Sequence, residues 1–174
     1  MTDVDNNKRD GSYYCIAILI LIYTSAFGFS GVFLLFSGWI SDFRFIFALV
    51  TNDIPKETRN SVFLCLYTIS GALLGGATLS ITSFHRNIVS YKCIGVDHIW
   101  GYVLAPLLSV IIGILVFCLI QGGLIVFTAG NYNNEKALVS MLGYVAFGAI
   151  GAYNWDVFIE KLQSLSKKIK EDVI

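Results

Sequence analysis

Four long stretches of the chain carry no charged side chain, and the charged residues gather between them. These windows run over 11–41, 60–84, 99–134 and 137–155. A helix rises 1.5 Å per residue, so about 20 apolar residues cross a hydrocarbon core of roughly 30 Å. Each window meets that length, the last only just. Backbone polar groups find no water in lipid, which leaves helices or closed barrels as spanning structures. The windows are near-continuously apolar and lack the ten-residue alternating segments of a barrel. The pattern predicts an all-α membrane protein: a four-helix transmembrane bundle with spans near 14–40, 62–84, 102–127 and 137–155. Residues 1–155 would form the bundle, and 156–174 a cytoplasmic amphipathic tail that extends the last helix past the membrane.

Composition agrees. Of 174 residues, 56% are hydrophobic and 14% charged, and the mean hydropathy is +0.70. A soluble domain carries about 25% charged residues. Twelve Lys and Arg balance twelve Asp and Glu, so no general basicity points to direct contact with nucleic acid. The first window is far longer than the roughly 7–15 apolar residues of a signal peptide, and its leader holds three Asp. It reads as a retained span.

Orientation follows from the cations near the span ends. One side holds Lys8, Arg9, Arg86, Lys92, Lys161, Lys167, Lys168 and Lys170, and the other Arg44, Lys56, Arg59 and Lys136. Eight against four places both termini in the cytoplasm. In the first outer loop, the apolar run 43–50 either prolongs the first helix or lies in the interface. Residues 51–55, Thr-Asn-Asp-Ile-Pro, read as a turn.

Small residues recur at helical spacing inside the spans. Gly71 and Gly75, shadowed by Ala72 and Gly76, form a GxxxG pattern, and Ala105, Ser109 and Gly113 follow every four residues. Gly148 and Ala152 do the same in the last span. Such residues let backbones approach, a main source of association in lipid. The Gly71–Gly76 face is expected at a close helix contact, within one subunit or between subunits of a homo-oligomer.

No Asp, Glu, Lys, Arg or His falls inside a predicted span, which argues against proton relays and ion-coupled carriers. Gln121 is the strongest polar candidate and is expected to seek a partner helix. Thr68, Ser70, Thr78 and Thr82 follow it, and Ser70, Thr78, Thr82 and Gln121 offer a thin supply of groups for a pore. In the loop between the second and third spans, Cys93, Asp97, His98 and His85 lack the paired spacing of a zinc site. His85 is read as capping the second span. Neither P-loop nor nucleotide fingerprint is present. No catalytic, metal or cofactor site is expected, and the chain is not read as an enzyme.

The tail has its own stripe. Phe158, Leu162, Leu165, Ile169 and Val173 are spaced 4, 3, 4 and 4, flanked by Lys161, Lys167, Lys168 and Lys170. It either rests on anionic lipid or docks a soluble partner or copies of itself, and for a docked partner Phe158, Lys161, Leu162, Leu165, Lys168 and Ile169 make the contact.

Three sets of residues carry a resemblance. They are the run 102–108, Tyr-Val-Leu-Ala-Pro-Leu-Leu, with Gly113 and 121–124, Gln-Gly-Gly-Leu; the glycines Gly71 to Gly76; and Gly148 with the stretch 155–162. Over about residues 65–165 the chain resembles the KwaA family, the membrane subunits of the bacterial Kiwa anti-phage defence system. The resemblance implies an oligomeric inner-membrane sensor that works with a soluble cytoplasmic, DNA-binding effector of the KwaB type. It carries over no catalytic residue. The alternative is a pore-forming protein, holin- or channel-like.

Overall fold

The computed structural model describes residues 3–50, 55–86, 96–125, 136–157, 159–160 and 163–164. Among the described residues there are helices and no strands. The helices are α1 (Asp3–Ser41), α2 (Arg44–Val50), α3 (Lys56–His85), α4 (Val96–Gln121) and α5 (Lys136–Tyr153). Three segments are long and apolar enough to cross a membrane: Ile16–Ser41, Thr58–His85 and Trp100–Gln121. The apolar part of α5, Ser140–Tyr153, is shorter. The expected fourth span, 137–155, is largely helical, and among the described residues its apolar helix is shorter than the other three.

Helix α3 touches α1, α4 and α5, each along a different face. Gly28 and Gly31 of α1 lie against Ala77 and Leu73, so α1 runs antiparallel to α3. Ser109 of α4 meets Gly76, and Gly113 meets Ile69 and Ala72, so α4 is antiparallel too. Val145 and Ala149 of α5 meet Gly71 and Gly75 in the same order along both chains, so α5 is parallel to α3. Ile112 and Val116 of α4 join Ala72 and Ala152 in one buried cluster and close the α4–α5 contact.

The corner after α1 is sharper than either expectation for residues 43–50. Asp42 and Phe43 both adopt left-handed backbone, with φ of 50° and 53°. This region disfavours residues with a Cβ, by roughly 1–2 kcal/mol each. The reversal sends the Phe43 side chain back into the protein, where it is fully buried. It meets Phe63 and Tyr67 edge-on, with ring centroids 5.3 and 5.1 Å away. Gly38 leaves room for it, because a Cβ there would strike the Phe43 ring. Helix α2 then lies with Ile46 and Phe47 against this cluster and Phe45 and Leu49 exposed. The Arg59 guanidinium sits 5.1 Å over the Phe47 ring. Residues 51–54 of the expected turn lie outside the described residues, and Pro55 stands at the N-cap of α3.

Helix α4 ends earlier than the hydropathy pattern implies. The third span was expected to reach residue 127, yet the helix stops at Gln121. The Gly123 N–H donates to Ile120 O at 3.1 Å and the Leu124 N–H to Leu119 O at 3.0 Å. Gly123 has φ 74°. These crossed bonds around a left-handed glycine are a Schellman motif, which satisfies the last carbonyls and turns the chain away. Gln121 accordingly lies exposed in the last turn of α4, not at mid-span against a partner helix. At the other ends the helices outrun the windows: α1 begins at Asp3 and α3 at Lys56, since a charged side chain is costly at membrane depth but does not bar a helix in water.

Candidate functional site

The small residues picked out by spacing are distributed over different seams. Gly71 and Gly75 point at α5, where a Cβ would run into the carbonyl oxygens of Val145 and Ala149. Gly148 answers from α5, its Cα facing the carbonyl oxygen of Thr68. The α3–α5 contact is therefore backbone against backbone. The glycine pattern that offered a subunit interface is occupied within this chain.

Gly76 faces α4, where a Cβ would collide with Ser109 Oγ. A Cβ on Gly113 would stand 2.9 Å from Ile69 Cα. Ala105 packs against the Phe27, Leu73 and Ala77 cluster. Sequence reading missed Gly38, Gly28, Gly31 and Gly151. Gly151 would press a Cβ to 2.9 Å from Val116. Gly28 and Gly31 carried a readable signal, an i, i+3 pair in a helix that gains nothing from glycine alone.

The hydroxyls of the spans are mostly spent locally. Thr68 donates to Leu64 O at 2.9 Å, Ser70 to Tyr67 O at 2.8 Å, and Thr78 and Thr82 to Leu74 O and Thr78 O at 2.8 Å each. Thr24 and Ser109 bond back in the same way. A hydroxyl tied to its own helix is satisfied without a neighbour. Thr68 and Ser70 are fully buried, so they do not line a path for ions. Thr78 and Thr82 are exposed.

Five Ser and Thr residues are buried among the described residues: Thr24, Thr68, Ser70, Ser80 and Ser109. Four of them make these back-bonds. Ser80 has no hydrogen-bond partner among the described residues, although it is only 5% exposed.

Ser80 lines a cleft of about 620 Å³ between the C-terminal half of α3, the N-terminal half of α4 and the end of α5. Its walls are apolar, with Leu79, Leu104, Leu108 and Ile112, and Ser83, Arg86 and Trp155 stand toward its outer end. Tyr102 also lines it and meets Phe84 edge-on at 6.4 Å. The cleft exists where α4 and α3 diverge from their Ser109–Gly76 contact. Pro106 sits inside α4 there and has no N–H for the carbonyl of Tyr102. Tyr23 of α1 donates its hydroxyl to the adjoining Val103 carbonyl at 3.1 Å. The lining holds donors and one cation but no carboxylate, histidine or thiol.

The expected docking residues Phe158, Lys161, Leu162, Leu165, Lys168 and Ile169 have no described side chains, and the loop residues 87–95, with Cys93, lie outside the described residues. His85 is exposed in the last turn of α3, where the closing bonds are backbone ones, from the Arg86 N–H to Ser83 O and Thr82 O. Among the described residues no three His, Cys, Asp or Glu side chains gather as a metal site would require. The chain matches no protein-family model, no curated protein and no solved structure.

Proposed function

We propose that the protein is a four-pass membrane subunit with both termini in the cytoplasm, acting as an oligomeric sensor or scaffold that holds a soluble effector. The observation that carries this reading is the alternation of helix directions. With α1 and α4 antiparallel to α3 and α5 parallel to it, the start of α1 and the ends of α3 and α5 lie at one end of the molecule. Lys8, Arg9 and Arg86 belong to the helix ends gathered there, and in sequence the tail lysines follow α5, which gives the bias a cytoplasmic side requires. In this reading α5 completes its crossing by sheltering its short apolar stretch along α3 and continuing through 155–157.

The interior is packed through glycine seams and apolar clusters, so the output passes through the cytoplasmic surface, namely the tail 156–174 and the loop 85–99. The resemblance to the KwaA family gives the same role a context, anti-phage defence at the inner membrane with a DNA-binding effector. Because α5 covers the Gly71–Gly75 face, contacts between copies fall on other surfaces.

The test is co-purification of proteins from the native host with the wild type and with a Leu165→Ser, Ile169→Ser variant. Docking by the tail predicts loss of the partner at unchanged membrane insertion and oligomer size. Retention of the partner at normal expression moves the dock to the 85–99 loop. A second reading, a pore, is favoured by the exposed Thr78 and Thr82 on α3. Ion flux through the purified chain in liposomes supports that reading and opposes the first.

A further inference from the structure

We propose that the α3–α4–α5 cleft is a binding site for one anionic glycerophospholipid from the leaflet on the Arg86 side. The inference uses the membrane reading above only for the presence of a bilayer, and it needs neither the partner nor the defence role.

Three features of the cleft converge on that occupant. Its polar groups climb one side of α3: Ser80, Ser83 and Arg86 recur every three residues, each about 60° round the helix from the last, and all three line the cleft. Along the helix axis the guanidinium position is about 9 Å beyond Ser80, six residues at 1.5 Å each. A glycerophospholipid has the same order, with an anionic phosphate outermost, ester carbonyls one glycerol unit deeper, and acyl chains below. Arg86 suits the phosphate as a charge-assisted donor. Ser83 and Ser80 suit the esters, which accept hydrogen bonds and cannot donate them.

The second feature is the Ser80 hydroxyl itself. A buried donor without a partner destabilises the fold, and Ser80 has none among the described residues while it lines the cleft. An acceptor arriving from the bilayer removes that cost. The third is the wall. Leu79, Leu104, Leu108 and Ile112 run on from the polar line, and the lining carries no acidic group to repel an anion. Trp155 beside the mouth has the apolar ring and polar N–H that favour headgroup depth.

The experiment uses the full chain, delipidated in mild detergent, and follows thermal stability and native mass spectra on titration with phosphatidylglycerol. Phosphatidylcholine and inorganic phosphate serve as comparison probes. The proposal expects phosphatidylglycerol to raise the melting temperature and to add one tightly held lipid, at concentrations where phosphatidylcholine does neither. Arg86→Gln should weaken phosphatidylglycerol binding about fivefold, the equivalent of about 1 kcal/mol for one cation at a lipid surface, and bring it toward phosphatidylcholine. Ser80→Ala removes the donor and should weaken both lipids alike, with melting of the lipid-free protein unchanged or raised. Equal response to the two lipids in the wild type overturns the proposal, as does unaltered binding in both variants. Stabilisation by phosphate alone also overturns it, because the acyl wall would then be irrelevant. A lipid-free dimer that shields Ser83 from chemical labelling assigns the cleft to a second copy and overturns it as well. None of these outcomes bears on partner co-purification, so this inference and the scaffold reading fail separately.

Discussion

The two halves of α3 end in wedges that the protein treats in opposite ways. Beside its N-terminal half, the chain folds back on itself at Asp42–Phe43 and drives the Phe43 ring among Phe63, Tyr67 and Tyr144. Beside its C-terminal half, the space between α3, α4 and α5 stays open as a cleft of about 620 Å³. At the first end two residues accept unfavourable backbone to fill the gap. At the second, the helices leave a groove with Ser80 at its wall and Arg86 near its outer end. Between them lies the tightest part, where Gly71, Gly75 and Gly148 let backbones touch. Filling is thus selective: strained backbone closes one end, and the other is left open.

Emptying the filled end should produce the largest effect. Phe43→Ala removes a ring that is fully buried and leaves a cavity that Gly38 cannot close. Core truncations of phenylalanine cost about 3–5 kcal/mol in water-soluble proteins. Detergent or lipid also solvates the released ring, so about 2–4 kcal/mol is expected here, dominated by lost packing. Unfolding in detergent against a graded denaturant measures it. A loss under half a kcal/mol would mean that the reversal at Asp42 is not worth its strain, and the contrast between the ends would collapse.

A middle-sized effect is expected at the seam. Gly75→Ala places a methyl group against the Ala149 carbonyl, which belongs to a backbone and cannot swing aside. The cost should be about 1–3 kcal/mol, as for other overpacked contacts. The same thermal measurement checks it, and an unchanged melting temperature would show that α5 is free to move off α3.

The smallest effect has the opposite sign. Gly101 sits in α4 at the open end with nothing within 4 Å of a Cβ built on it. Gly101→Ala should stabilise by about 0.5–1 kcal/mol, through reduced freedom of the unfolded chain and better helix propensity. A destabilising result would mean that the cleft is narrower in solution than in the structure.

Much of this architecture is written in one dimension. Charge-free windows of sufficient length announce long apolar helices, because an apolar surface in lipid needs only length and the absence of charge. The stripes Gly71–Gly75 and Ala105–Ser109–Gly113 were legible for a similar reason, since i, i+4 spacing places them on one helix face whatever the partner. Which partner each stripe meets was not legible: Gly71 and Gly76 are five residues apart, yet they face different helices. Ser80 gave no signal either, being one serine among several in a glycine-rich span, and only its missing back-bond in the folded chain sets it apart.

Helix ends and corners divide along the same line. The Gly122–Gly123 pair was a stop signal that hydropathy overrode, and local chemistry alone was enough to end α4 at Gln121. The reversal at Asp42–Phe43 had no local signal, because neither residue favours left-handed backbone strongly enough to predict it. Burial of the Phe43 ring against three helices compensates that strain, and such a contact exists only once α3 and α5 are in place. Sequence alone therefore determined how long each helix is apolar and which faces are small. Tertiary structure decided which faces meet, where the chain turns back and which wedge is left open, because those outcomes depend on contacts between residues far apart in the chain.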